Sequence, residues 1–296
     1  MSDSRLSGDG RNFDCSPKIV PIRRDSAIAF AGYTGHAYPM MLQLALAVES
    51  YAPAKRGSLD IASLRTHALK VFDAMSGMIS SSPKVSKQLD AGPEASFLFG
   101  GYSWEKKSFE LWTLAFNASE RRFVAHPAAW IGYSEQAHRF LPTASTSPKG
   151  SGPYTKIAFA GDQAQNTREV LSAKLTAKYP GGETFMGVDW EPFEVVRDML
   201  RDPNHGETIG GAPQIVKVYQ YMQTVPFGVY WPTKLAQNVF LQGRPCLGYE
   251  RIDRWILDPD TLISESPYYS NNDDRFLDEV VSLSADAYGS DDPRRV

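Results

Sequence analysis

The chain is 296 residues long, 42% hydrophobic and 12% aromatic, enough for a sizeable core in one or two domains. Its 31 basic and 34 acidic residues give a net charge of −3, which excludes the basic footprint of a nucleic-acid binder and the composition of a disordered chain. No run of about 18 apolar residues occurs, so no membrane span is expected. The polar, charged start is read as carrying no secretory signal. Cys15 and Cys246 make no disulfide framework, so a cytoplasmic protein is expected.

Taken in chain order, the residues up to 16 are polar. Lys18 to Ile22 and Ala27 to Ala31 are two apolar strands, and the four residues between them predict an antiparallel hairpin. Gly32-Tyr33-Thr34-Gly35 leads into a helix from about Gly35 to Tyr51, apolar on nearly every side and expected to be buried on more than one face. A second, amphipathic helix starts with Ser58 as N-cap and carries Ile61, Leu64, Ala68, Phe72 and Met75 at helical spacing. After a polar loop, Ser80 to Pro93, alternation predicts an antiparallel meander of Ala95 to Gly101, Phe109 to Phe116 and Arg121 to His126. Ser134 to Leu141 reads as a helix and Pro142 to Pro153 as a linker. A strand (Lys156 to Ala160), two helices (Gln163 to Lys178 and Glu191 to Leu200) and a strand pair (Gln214 to Tyr221, Phe227 to Trp231) follow. The remainder is aromatic-rich, then acidic, and its last dozen residues are expected to fray.

Meanders alternating with helix pairs indicate α+β layers instead of a parallel sheet. Two sheets packed face to face, with helices outside both, use every apolar face. The expected domain spans residues 1–232 with an insertion at about 142–186, and residues 233–296 form a C-terminal extension whose apolar segments either fill a gap in the sheets or add an outer strand.

Common catalytic motifs are missing. No glycine run matches a phosphate loop, and His36, His67, His126, His138 and His205 lack metal-ligand spacing. Gly132-Tyr133-Ser134 has no second glycine to form a nucleophile elbow. Neither Cys15 nor Cys246 has a histidine near it in sequence, and the six tryptophans read as core and interface residues. No metal or organic cofactor is implied.

One constellation agrees with the element order: Asp3-Ser4-Arg5, then Lys18 heading Ile19-Val20-Pro21-Ile22, a strand ending Ala31-Gly32 before two helices, Phe99-Gly100-Gly101, Gly132, and Gly210-Gly211 before a late strand. This resembles the proteasome β-subunit-like branch of the N-terminal-nucleophile hydrolases over about Met1 to Trp231. The resemblance implies a four-layer αββα sandwich and threonine-type hydrolysis of peptide or amide bonds, with peptide or protein substrates and a homo-oligomeric ring. In the family the nucleophile is the first residue of the mature chain and its own α-amine is the base, an amine with an ordinary pKa of about 7.7–8.0. By motif position Lys18 is the lysine that lowers that pKa and stabilises the oxyanion, and Asp3 the aspartate that orients it.

The sequence departs from the family at three places. The strand that carries the nucleophile has no counterpart before Asp3, Tyr133 stands for the serine of a Gly-Ser-Gly turn, and Ile209 stands for the serine before Gly-Gly. Three readings follow: an enzyme whose first strand is encoded upstream of Met1, a catalytically inactive ring or scaffold subunit, and an unrelated α+β protein binding a ligand among its C-terminal aromatics. Taken alone, Lys18 reads as a lysine that guards a strand edge.

Overall fold

The computed structural model describes residues 1–8, 11–79, 92–143, 155–205, 209–250 and 252–266. Most of the Ser80–Pro93 loop, most of the 142–153 linker and the last dozen residues lie outside them. The described residues form a mixed α+β protein with several sheets and five α-helices.

A short hairpin, β1 (Leu6–Gly8) and β2 (Arg11–Phe13), precedes β3 (Ile19–Arg23) and β4 (Ser26–Gly32). Helices α1 (Thr34–Ser50), α2 (Ala52–Lys55) and α3 (Ile61–Ser76) follow, then the meander β5 (Ala95–Ser103), β6 (Ser108–Asn117) and β7 (Arg122–Pro127). Strands β3 to β7 make one antiparallel sheet in sequence order. The predicted hairpin and meander are both present.

Strict alternation sends one set of side chains in β4 and β5 to the helices. Ile28, Phe30, Phe97 and Phe99 are buried against Met40, Leu44, Leu64 and Phe72. The Phe72 ring centroid lies 4.6 Å from that of Phe97 and 5.3 Å from that of Phe123, distances at which offset aromatic pairs attract. The other face of β4 carries only alanines, Ala27, Ala29 and Ala31, which leaves room above the sheet.

Helix α1 corrects the expectation of burial on several faces. Ala37, Met40, Met41, Leu44 and Val48 are buried, but Leu42 and Leu46 are 62% and 53% exposed. Helix α3 is capped by Asp60 and not by Ser58. The Asp60 carboxylate accepts the Ala62 N–H and, buried, the Ser103 hydroxyl at 3.0 Å, so the cap also fastens the helix to the end of β5.

The helix expected over 134–141 is a hairpin: β8 (Ala129–Ser134) pairs with β9 (Arg139–Thr143), Tyr133 opposite Phe140. Helical periodicity there was too short to decide, and His138 takes a left-handed conformation (φ 50°) that turns the chain instead of continuing a helix. Strand β10 (Thr155–Ile157) joins the other edge of β8. Helices α4 (Ala164–Lys178) and α5 (Glu191–Arg201) cover this small sheet, burying Ile131, Phe140, Leu171, Leu175, Phe185 and Met199 together.

Strands β11 (Ile215–Tyr219) and β12 (Gln223–Tyr230) form the expected late pair. Strand β13 (Val239–Leu241) continues the sheet antiparallel to β12 and is followed by β14 (Arg244–Pro245); β15 (Ile256–Leu257) runs parallel to β12 on its other side and pairs with β16 (Ser264–Glu265). Of the alternatives for the C-terminal segments, the structure therefore has added strands. Phe193 of α5 is buried with Ile215, Phe227, Val229 and Leu257, so α5 covers this sheet while β11 also contacts β3, β4 and β5. Among the described residues no helix is long and apolar enough to cross a membrane.

Candidate functional site

The segments singled out in the sequence meet at the head of β3. Lys18 is already in the ladder, since its carbonyl accepts the Phe30 N–H at 3.2 Å. Its ammonium donates to Asp3 Oδ1 at 2.7 Å, and the two side chains are only 14% and 11% exposed. The second carboxylate oxygen of Asp3 accepts the N–H of Arg5 at 3.1 Å and that of Gly210 at 3.3 Å. Asp3 thus turns the chain locally and binds Lys18 and the glycine pair, residues distant in sequence. The Ser2 hydroxyl lies 3.4 Å from the oxygen that holds Lys18.

Gly210-Gly211 has a steric role. A Cβ on Gly210 would sit 2.3 Å from the Arg5 guanidinium carbon, and one on Gly211, whose φ is +72°, 2.2 Å from Ser4 Oγ. Ser4 is fully buried; its hydroxyl donates to the Asp14 carbonyl at 2.8 Å and accepts the Ala212 N–H at 2.9 Å. Arg5 forks onto the Asp14 carboxylate at 2.6 and 2.7 Å. That pairing holds the Asp14 carboxyl below and the Arg5 guanidinium above their usual ranges, each mainly through the hydrogen bonds to the other.

The Lys18–Asp3 pair borders a cleft of about 800 Å³. Its lining comes from the alanine face of β4, Leu98 of β5, Leu111 of β6, α5, Ile209 and Val218 of β11, with Lys156, Asp162 and Asp189 adding charge to the walls. The small side chains of β4 create this space. An ammonium only 14% exposed acts more strongly on nearby charge than one in open water, because partial burial reduces the screening. The arrangement suits stabilising negative charge that develops on a substrate oxygen and keeping a neighbouring amine unprotonated.

Other sequence candidates fall elsewhere. Tyr133 packs edge-on to Phe140, with ring centroids 5.5 Å apart, in the cluster under α4 and does not line the cleft, whereas Ile209 does. Burial pushes the Cys246 thiol up, with Arg244 only partly opposing, which disfavours the thiolate. Among the described residues no group of three or more His, Cys, Asp or Glu side chains is placed to hold a metal ion. The tryptophans are dispersed: Trp112 stacks under Arg65, Trp130 under Lys156 and Trp231 under Arg201.

Sequence reasoning missed Ser4 and Gln214. Gln214 is 1% exposed; its side chain accepts the Lys18 N–H and donates to the carbonyls of Asp3 and Ser16. A long polar side chain at the mouth of an apolar strand, just after Gly210-Gly211, was the available signal. No protein-family model matches this sequence, and no curated protein matches it.

Proposed function

We propose that the chain is an N-terminal-nucleophile hydrolase of the proteasome β-subunit-like kind, in which Lys18 and Asp3 supply the charged part of the site. The observation that carries the reading is the Lys18 ammonium held on Asp3 at the edge of the 800 Å³ cleft. The layer order supports it. α1 and α3 cover one sheet, and α5 covers the β11–β12 sheet whose β11 contacts the first, as the αββα sandwich requires.

In the proposed reaction the nucleophile adds to a peptide or amide carbonyl carbon, passing its proton to the neighbouring amine. The carbonyl oxygen becomes an oxyanion facing Lys18. The C–N bond then breaks as the leaving nitrogen takes that proton, and water hydrolyses the acyl intermediate. Asp3 keeps the ammonium oriented, and no metal or cofactor enters. Substrates are peptides or proteins, and the expected setting is a cytoplasmic homo-oligomer.

The test is to express the open reading frame with whatever in-frame codons precede Met1 and to assay fluorogenic peptides. Hydrolysis that falls at least about 100-fold in Lys18→Ala supports the reading. No hydrolysis, or activity indifferent to Lys18, overturns it. A second reading, an inactive assembly subunit built from copies of this chain, is favoured by the exposed Leu42 and Leu46 on α1. Light scattering that finds a ring-sized species without hydrolysis supports that one instead.

A further inference from the structure

We infer that Gln214 is the positioning residue of the Lys18–Asp3 pair, an inference that rests on reading that pair as the site. Lys18 meets Asp3 through one oxygen, so their contact depends on where the backbones at 3 and 18 are held. Gln214 holds both. Its backbone forms an antiparallel bridge with Ser2, giving N–H and accepting N–H at 2.7 and 3.1 Å. Its Nε2 donates to the carbonyls of Asp3 at 2.9 Å and Ser16 at 2.7 Å, and its Oε1 accepts the Lys18 N–H at 3.0 Å.

Each backbone and side-chain polar atom of this residue is therefore spent on residues 2, 3, 16 and 18. The amide has one possible orientation, because flipping it would face oxygen with two carbonyls and nitrogen with an N–H. Only an amide of this length serves. A carboxylate lacks the donors and a thioether lacks both functions. Gly243, at φ +88°, closes over the site: a Cβ there would lie 2.4 Å from Ser4 Cβ and 3.3 Å from Gln214 Nε2. Gln214 so ties the second sheet to the head of β3.

The experiment measures acylation of Lys18 by an amine reagent, with mass-spectrometric readout, in the 296-residue chain. Lys55 and Lys106, 56% and 59% exposed, are internal references. In the wild type Lys18 labels much more slowly than either. In Gln214→Met and Gln214→Glu its relative rate is expected to rise about tenfold as the pair opens. Ser103→Ala, which removes a buried hydrogen bond elsewhere, controls for general loss of stability and leaves the Lys18 rate unchanged. A folded Gln214→Met protein with unaltered Lys18 labelling overturns the inference. If neither Gln214 variant folds, hydrogen exchange in the wild type decides: the Lys18 amide is expected to exchange as slowly as the Phe30 amide, and loop-like exchange refutes the bond to Gln214. Failure of the hydrolase reading is separate, since it shows as absent peptide hydrolysis while Lys18 exposure still follows Gln214.

Discussion

Glu191, fully buried at the first turn of α5, accepts the Lys178 ammonium at 2.6 Å and the Tyr179 hydroxyl at 3.1 Å. Its other oxygen accepts the Asp189 N–H at 2.7 Å, so one carboxylate joins the end of α4 to the start of α5 beside the cleft. Burial alone would push the Glu191 carboxyl up. The hydrogen bonds from Lys178 and from backbone N–H groups, with the Lys178 charge, outweigh it and hold the group below its ordinary value of 4.5.

The sign of the pH effect follows. A carboxyl whose folded pKa is depressed contributes stability above about 4.5 and loses it as pH falls through the lower folded value. Glu191→Gln is expected to flatten that acid limb and to cost about 1.5–3 kcal/mol at neutral pH. Urea denaturation across pH 3–7 checks both, and an unchanged acid limb would assign the slope to other groups.

His67 works in the same direction at higher pH. Burial, helped by the nearby Lys70 charge and only partly offset by a hydrogen bond to the Ala47 backbone, lowers its pKa from 6.5. Among the described residues its buried Nε2 has no hydrogen-bond partner, so a proton added there finds no acceptor among them. The folded state binds fewer protons than the unfolded, and this contribution to stability is complete above about 6.5 and drains away as pH falls below it. In His67→Phe the melting midpoint should lose that part of its pH dependence, measured between the folded value and pH 7.

Gly211 and Gly181 separate strain from collision. Both have positive φ, +72° and +74°, but among the described residues a Cβ on Gly181 meets nothing within 4 Å while one on Gly211 meets Ser4 Oγ and the Asp14 carbonyl. Gly181→Ala should cost about 1–2 kcal/mol and Gly211→Ala about 3–4 kcal/mol. Only the second should speed Lys18 labelling, since only that turn packs on the Asp3 segment.

Phe97, with no exposed surface, packs against Phe72 and Phe123, which also touch each other. Phe97→Ala is expected to cost about 3–5 kcal/mol, read from the urea midpoint, because the rings around it cannot collapse into the space. A cost below about 1 kcal/mol would mean that the helix–sheet core is loosely packed.

Much of the first sheet was legible in the chain. Ile28 and Phe30 alternate with Ala27, Ala29 and Ala31, and Phe97 and Phe99 alternate with Leu98 and Gly100, so a period of two was unmistakable. The 134–141 segment was misread because eight residues cannot separate a turn-linked hairpin from a short helix, and His138 accepts a left-handed conformation that no periodicity records. The chain pointed to Ser58 as the cap, whereas Asp60 takes the role, its carboxylate also reaching Ser103, 43 residues away.

The order of amino acids by itself determined the mixed α+β character, the β3–β4 hairpin and the β5–β7 meander, since local periodicity dictates which side of each element is apolar. It also marked Asp3, Lys18 and Gly210-Gly211 as residues of interest. Only the tertiary structure decided that they touch, that alanines open a cleft beside them and that Gln214, 196 residues beyond Lys18, holds them together. Those contacts arise when one sheet packs over the other, and no local pattern in the chain encodes the register of that packing.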